Sequence, residues 1–174
     1  MEYFFRIKQT TPVQGSYERT RILFSGVIHM VTEMPLTVRE QYPFQSHYLK
    51  VNGRIMHYLD EGEGEPILLL HGNPTWTFLY RKFIPILVEA GYRVISPDLI
   101  GLGMSEKPCN DYYNSLLHHT SNLDQLVNQL QLKNVTLVMQ DWAGPIGLGY
   151  VIRKRENVKA MLLMSTWAWT DVSP

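Results

Sequence analysis

The chain has 174 residues, 45% hydrophobic and 18% charged, a balance that suits one soluble globular domain. Sixteen basic residues cancel sixteen acidic ones, so there is no electrostatic footprint for nucleic acid or an anionic membrane. No apolar run approaches the ~20 residues of a membrane span, and the single cysteine, Cys109, excludes an internal disulfide framework and fits a loop or surface thiol in a reducing, cytoplasmic compartment.

Along the chain, Ile22-Leu-Phe-Ser-Gly-Val-Ile-His-Met-Val31 follows Arg19 and Arg21 and faintly imitates a signal peptide. Ser25, Gly26 and His29 interrupt it, and no small-residue cleavage pattern follows. Residues 1–33 show little periodicity and are expected to be a leader, disordered or no part of the domain. Domain sequence is expected over 34–174, from Met34-Pro-Leu-Thr-Val onward. Phe44 to Val51 and Arg54 to Leu59 read as strands joined by Asn52-Gly53, the strongest short hairpin signal. Ile67-Leu-Leu-Leu70 is a fully apolar run of the kind buried on both faces of a sheet. His71-Gly-Asn-Pro74 breaks that strand, and a helix is expected up to Ala90, kinked at Pro85 and ended by Gly91.

Tyr92 to Ser96 reads as the next strand, followed by the glycine-rich loop Asp98 to Ser105. Leu116, Leu123, Val127 and Leu130 recur at helical spacing, which predicts an amphipathic helix near 114–131. A strand over Val135 to Met139, a helix over about Gly144 to Arg155 and a strand over Val158 to Met164 complete the pattern. A hairpin followed by alternating strands and helices predicts an α/β fold with a mostly parallel sheet and helices on both faces.

In such a sheet, ligands bind beyond the carboxyl ends of the strands. His71 to Pro74, Asp98 to Ser105 and Gln140-Asp-Trp-Ala143 all fall there. Taken singly, Asp141 reads as a helix N-cap, Trp142 as a packing residue and Asn73 as a turn former. Gly101-Leu-Gly103 lacks the third glycine and the early βαβ context of a dinucleotide fingerprint. Together, a carboxylate exposed at a strand–turn–helix junction and an adjacent indole N–H point to displacement of a leaving group from carbon.

These segments in this order resemble the α/β-hydrolase superfamily, and within it the haloalkane dehalogenases. The resemblance covers about residues 44–172 and lies in His71-Gly-Asn-Pro-Thr-Trp-Thr-Phe-Leu-Tyr-Arg81, Pro97-Asp-Leu-Ile-Gly-Leu-Gly-Met-Ser-Glu-Lys-Pro108 and Val138-Met-Gln-Asp-Trp-Ala-Gly-Pro-Ile-Gly147. Ser165-Thr-Trp-Ala-Trp169 also resembles the segment by which one dehalogenase subfamily leaves its sheet for a helical cap. The resemblance implies that Asp141 is the nucleophile of a covalent alkyl-enzyme ester. It implies that the side chains of Asn73 and Trp142 bind the departing halide, and that their backbone N–H groups form the oxyanion hole. Such a donor is worth ~3–4 kcal/mol in the transition state. The partners implied are a small haloalkane, water and the halide product, with no cofactor and no metal.

The pattern also departs from the family. Ala143 replaces a glycine and slightly crowds the elbow, and Met139 stands where serine hydrolases carry glycine. His71 is structural in the family, His118 and His119 are expected at the surface or beside a cap, and His29, His47 and His57 fall in the leader or first strands. The base histidine and the catalytic acid are therefore expected to be absent from this chain. Ser165 occupies one place where the acid could stand, and Asp171 reads as a solvated loop carboxylate. Stopping after a sixth strand should leave an apolar sheet edge, so the chain is expected to be the N-terminal part of a longer enzyme or a truncated product. The alternatives are an epoxide hydrolase-like enzyme, whose ring opening needs acidic donors from a cap, and a non-catalytic fragment. A serine esterase is disfavoured because Asp141 holds the elbow.

Overall fold

Ile67 to Leu70 has no polar face to show to water, and it occupies the middle of the sheet. The computed structural model describes residues 19–24, 27–32, 36–108 and 115–168; Cys109 and Asp171 lie outside them. Its strands are β1 (Arg19–Phe24), β2 (Val27–Thr32), β3 (His47–Val51), β4 (Arg54–Glu61), β5 (Glu65–Leu70), β6 (Tyr92–Pro97), β7 (Val135–Gln140) and β8 (Val158–Met164). Its helices are α1 (Leu36–Arg39), α2 (Phe83–Glu89), α3 (Leu116–Gln129) and α4 (Ala143–Arg153). A six-stranded sheet runs in the order β3-β4-β6-β5-β7-β8. The β3–β4 and β4–β6 pairs are antiparallel, and β6, β5, β7 and β8 run parallel. This is the α/β arrangement the alternation of elements predicts.

Successive side chains of a strand face opposite sides of its sheet, and β5 shows the result. Leu68 and Leu70 join a core with Leu123, Leu126 and Val127 of α3 and Ala143, Ile146 and Tyr150 of α4. Ile67 and Leu69 join a second core with Tyr42, Tyr80 and Ile84 of α2. Burying each such aliphatic side chain contributes ~1.5–3 kcal/mol. In α3, Ser115 caps the first turn by accepting from the His118 N–H, and the helical stripe packs inward as expected.

The hairpin turn behaves as its dipeptide predicts: Asn52 and Gly53 have φ of 46° and 82°. Asn52 is also tied to α3. Its N–H donates to Gln125 Oε1 (2.9 Å), its Nδ2 to Asn122 Oδ1 (2.7 Å) and Ser121 Oγ (3.1 Å), and its Oδ1 accepts from Gln125 Nε2.

Within residues 1–33, β1 and β2 pair antiparallel with Phe24 opposite Val27. Apolar and β-branched residues on either side of Ser25-Gly26 form a two-stranded sheet that pairs with no strand of the six-stranded one. The kinked helix up to Ala90 is instead two pieces, a 3₁₀ turn over Thr77–Tyr80 and then α2. Thr77 donates its N–H to Asp98 Oδ1 (2.8 Å), and Pro85 has no N–H to bond back into a preceding turn. Pro85 therefore sits in the first turn of α2, where no intrahelical donor is required.

At the other side of the sheet, β8 is an edge strand that leaves Met161, Leu162 and Leu163 about half exposed, the open apolar edge expected of this arrangement. Among the described residues, no helix is long and apolar enough to cross a membrane.

Candidate active site

Asp141 follows the last residue of β7 and has φ of 53°, in the left-handed region that non-glycine residues occupy uncommonly. The chain then turns directly into α4, so the carboxylate stands at that helix's N-terminus, where the helix dipole favours negative charge. Gly72, after β5, makes the close approach possible, because a Cβ there would overlap the Asp141 carboxylate. The next residue, Asn73, donates its backbone N–H to Asp141 Oδ1 at 2.9 Å; its bond to Pro74 is cis.

The direction of that N–H is set by the other side of the same peptide. Gly72 O accepts from His71 Nδ1 (2.8 Å), Thr75 Oγ1 (3.0 Å) and Thr75 N–H (3.1 Å). In a trans peptide, C=O and N–H point opposite ways, so three donors on Gly72 O aim the Asn73 N–H at the Asp141 carboxylate. His71 Nε2 accepts from the Leu99 N–H (2.9 Å), which leaves the proton on Nδ1 and makes the ring neutral. Burial holds its pKa below the ordinary histidine value, and the nearby Asp98 opposes that only in part.

Behind this lies a polar network with no exposed member. Asp98 accepts from His57 Nδ1 (2.8 Å), Thr77 N–H (2.8 Å) and Met104 N–H (2.7 Å). Ser105 Oγ donates to Asp98 O and accepts from the His57 N–H. Burial opposes ionisation of Asp98, but His57, His71 and the Met104 N–H outweigh it and hold the carboxyl below the usual range. The loop from 98 to 105 is thereby fastened to β4 and to the segment after Asn73.

That loop walls a cavity lined by Asn73, Leu99, Ile100, Leu102, Trp142 and His119, with Gly101 and Ile146 completing it. Asn73 and Trp142, predicted as halide donors, therefore share one apolar-sided cavity, and Asn73 also touches Asp141. His119 corrects the expectation of a surface or cap-adjacent residue: it is 6% exposed and lines the same cavity. Its Nδ1 is buried without a hydrogen-bond partner, and burial, with His71 and His118 contributing, lowers its pKa to about 4. Its position in line with Leu123 and Val127 on the inward side of α3 carries the signal that periodicity offered.

The two unusual elbow residues fit. Ala143 is fully buried in the main core, and the Met139 side chain fills the space where a Cβ of Gly147 would collide with its sulfur. At the end of β8, Ser165 has φ of 42°. His57 serves Asp98. Among the described residues, no cluster of three or more His, Cys, Asp or Glu could hold a metal ion.

Residues 65–173 match the family model described as the alpha/beta hydrolase fold, and the chain belongs to that family. Within it, the chain is 48% identical over 117 residues to a haloalkane dehalogenase of Psychrobacter cryohalolentis, covering 63% of this chain and 39% of the relative. It is 41% identical over 129 residues to a cis-3-alkyl-4-alkyloxetan-2-one decarboxylase of Shewanella oneidensis, covering 73% and 40%. Among solved structures, the tetrameric haloalkane dehalogenase DpaA of Paraglaciecola agarilytica matches with a TM-score of 0.70 and 38% identity over 78% of this chain and 49% of that one. The epoxide hydrolase VrEH1 of Vigna radiata matches at 0.67 with 32% identity, over 70% and 40%. The chain spans about two fifths of the length of these two curated relatives.

Proposed function

We propose that this chain carries the nucleophile and halide-binding part of a hydrolase that cleaves carbon–halogen bonds in small haloalkanes. The observation that carries the reading is the Asn73 N–H on Asp141 Oδ1, with the Asn73 and Trp142 side chains beside the same cavity. An Asp141 oxygen attacks the carbon bearing the halogen, the carbon–halogen bond breaks and its electron pair leaves with the halide. Halide is weakly basic and needs donors rather than an acid; the Trp142 indole N–H and the Asn73 amide supply them. Water then attacks the ester carbonyl carbon. The backbone N–H groups of Asn73 and Trp142 stabilise the charge that gathers on its oxygen, the acyl–oxygen bond breaks, and alcohol is released. That step needs a general base, and none is assigned among the described residues, so alkylation is the step this chain can be held to.

The test is the intact mass of the folded chain after treatment with a reactive primary bromoalkane. One added alkyl group is expected, localised to Asp141 and absent in Asp141→Asn. Alkylation of Asp141→Asn at the unaltered rate would remove the assignment.

The similarity to the oxetan-2-one decarboxylase supports a second reading, in which the same carboxylate opens a strained lactone ring. Epoxide opening is the third candidate for an aspartate nucleophile in this fold. A bromide titration followed through the Trp142 indole N–H separates halide binding from both, since only halide chemistry requires that donor to respond.

A further inference from the structure

We propose that Thr166 and Trp167 are positioning residues, Thr166 for the backbone of the nucleophile and Trp167 for the halide-binding indole; this rests on the reading of Asp141 and Trp142 given above. β7 and β8 run in parallel register up to the pair Gln140 and Met164. The next residue of each strand, Asp141 and Ser165, enters the left-handed region. Two neighbouring strands thus leave the sheet through the same unusual bend, and the second bend grips the first.

The grip has two polar contacts. The Asp141 N–H donates to Ser165 O at 3.2 Å, and Thr166 Oγ1 donates to Asp141 O at 2.5 Å. Both backbone polar groups of the nucleophile are thereby held by the segment after β8. Asp141 cannot relax toward an ordinary helical conformation without giving up these contacts. The space for the Thr166 hydroxyl comes from α4: a Cβ on Gly144 would overlap Thr166 Oγ1.

The third contact falls on the donor. The Trp167 ring meets Trp142 edge-on, with centroids 5.9 Å apart and planes at 86°. That is a preferred aromatic geometry, and it restricts rotation of the Trp142 indole whose N–H must face a departing halide. Neither Thr166 nor Trp167 belongs to the two buried cores. Their contacts fall on the site residues, which separates this role from general packing.

The experiment uses the 174-residue chain with ¹⁵N-labelled indoles, confirmed as folded by circular dichroism. Relaxation of the Trp142 indole N–H, bromide titration and bromoalkane alkylation of Asp141 are measured side by side. In Trp167→Leu the Trp142 order parameter is expected to fall from about 0.85 to below about 0.6, with bromide affinity down roughly 5- to 10-fold. Trp167→Phe is expected to restore most of both, because an aromatic edge remains. Thr166→Val should slow alkylation about 10-fold or more, and Thr166→Ser, which keeps the hydroxyl donor, should recover the rate. An equally ordered Trp142 indole in Trp167→Leu, or unaltered alkylation in Thr166→Val, overturns the corresponding assignment. If the unaltered chain neither binds bromide nor is alkylated while Trp142 order still follows residue 167, the halide reading fails and the positioning role of Trp167 stands.

Discussion

His57 donates from Nδ1 to Oδ2 of Asp98 over 2.8 Å, and neither side chain has any exposed surface. The same carboxylate accepts the Thr77 and Met104 N–H groups, so its removal orphans two buried donors and a partly buried one. Leaving even one buried donor without its partner costs ~1–3 kcal/mol. Asp98→Ala is expected to lose that much in urea denaturation, and a loss below ~1 kcal/mol would contradict the network's role.

Gly72→Ala tests the contact between the β5 turn and the Asp141 carboxylate. The new methyl would overlap the Asp141 carboxylate, which must move off the Asn73 N–H. Bromoalkane labelling of Asp141 should fall by about two orders of magnitude, the scale of losing a well-placed catalytic donor. The circular dichroism spectrum should stay that of the unaltered chain. Retained labelling would show that the turn can shift without cost to the chemistry.

Acid should destabilise the fold in two windows. His119 has an ordinary value of 6.5 lowered to about 4, so between those pH values the unfolded chain binds a proton that the folded chain refuses. Its contribution is complete above pH ~6.5 and is lost as pH falls toward about 4, at up to ~1.4 kcal/mol per pH unit. His71 acts in the same direction. Asp98 behaves differently: its depressed folded value contributes stability above its ordinary 3.8, lost only as pH falls through the lower folded value. Denaturation at pH 7.5, 6.0 and 4.5 should show falling stability, with a shallower fall in His119→Gln. Equal slopes would remove His119 from the account.

Asn52→Ala should cost about 2–3 kcal/mol. Alanine in the left-handed region costs ~1–2 kcal/mol, and the hydrogen bonds between the Asn52 side chain and α3 are lost as well. Thermal denaturation of Asn52→Ala and Asn52→Gly would separate the parts, because glycine relieves the backbone and still loses the side chain.

Where one local signal dominated, the sequence was enough to read the structure. Asn52-Gly53 specified its turn because few residues accept positive φ, and Ile67 to Leu70 specified a central strand because no face of it tolerates water. The meeting of Asn73 with Asp141 was legible because turns after neighbouring parallel strands converge at one end of a sheet. Long-range competition hid the rest. Asp98, 21 residues away from Thr77, accepts the N–H at the start of the 3₁₀ turn, a contact that no local pattern announces. The burial of His119 depends on which side of α3 meets α4.

The loop from Asp98 to Ser105 is at once fastener and wall. Its backbone is pinned through Asp98 and Ser105 to β4, while Leu99, Ile100 and Leu102 line the cavity. Stability is thus vested in one set of atoms and selectivity in another. Substitutions at the lining positions can recarve the cavity without disturbing the buried carboxylate that fastens the loop. Such a frame lets descendants reshape the wall while inheriting the same fastening.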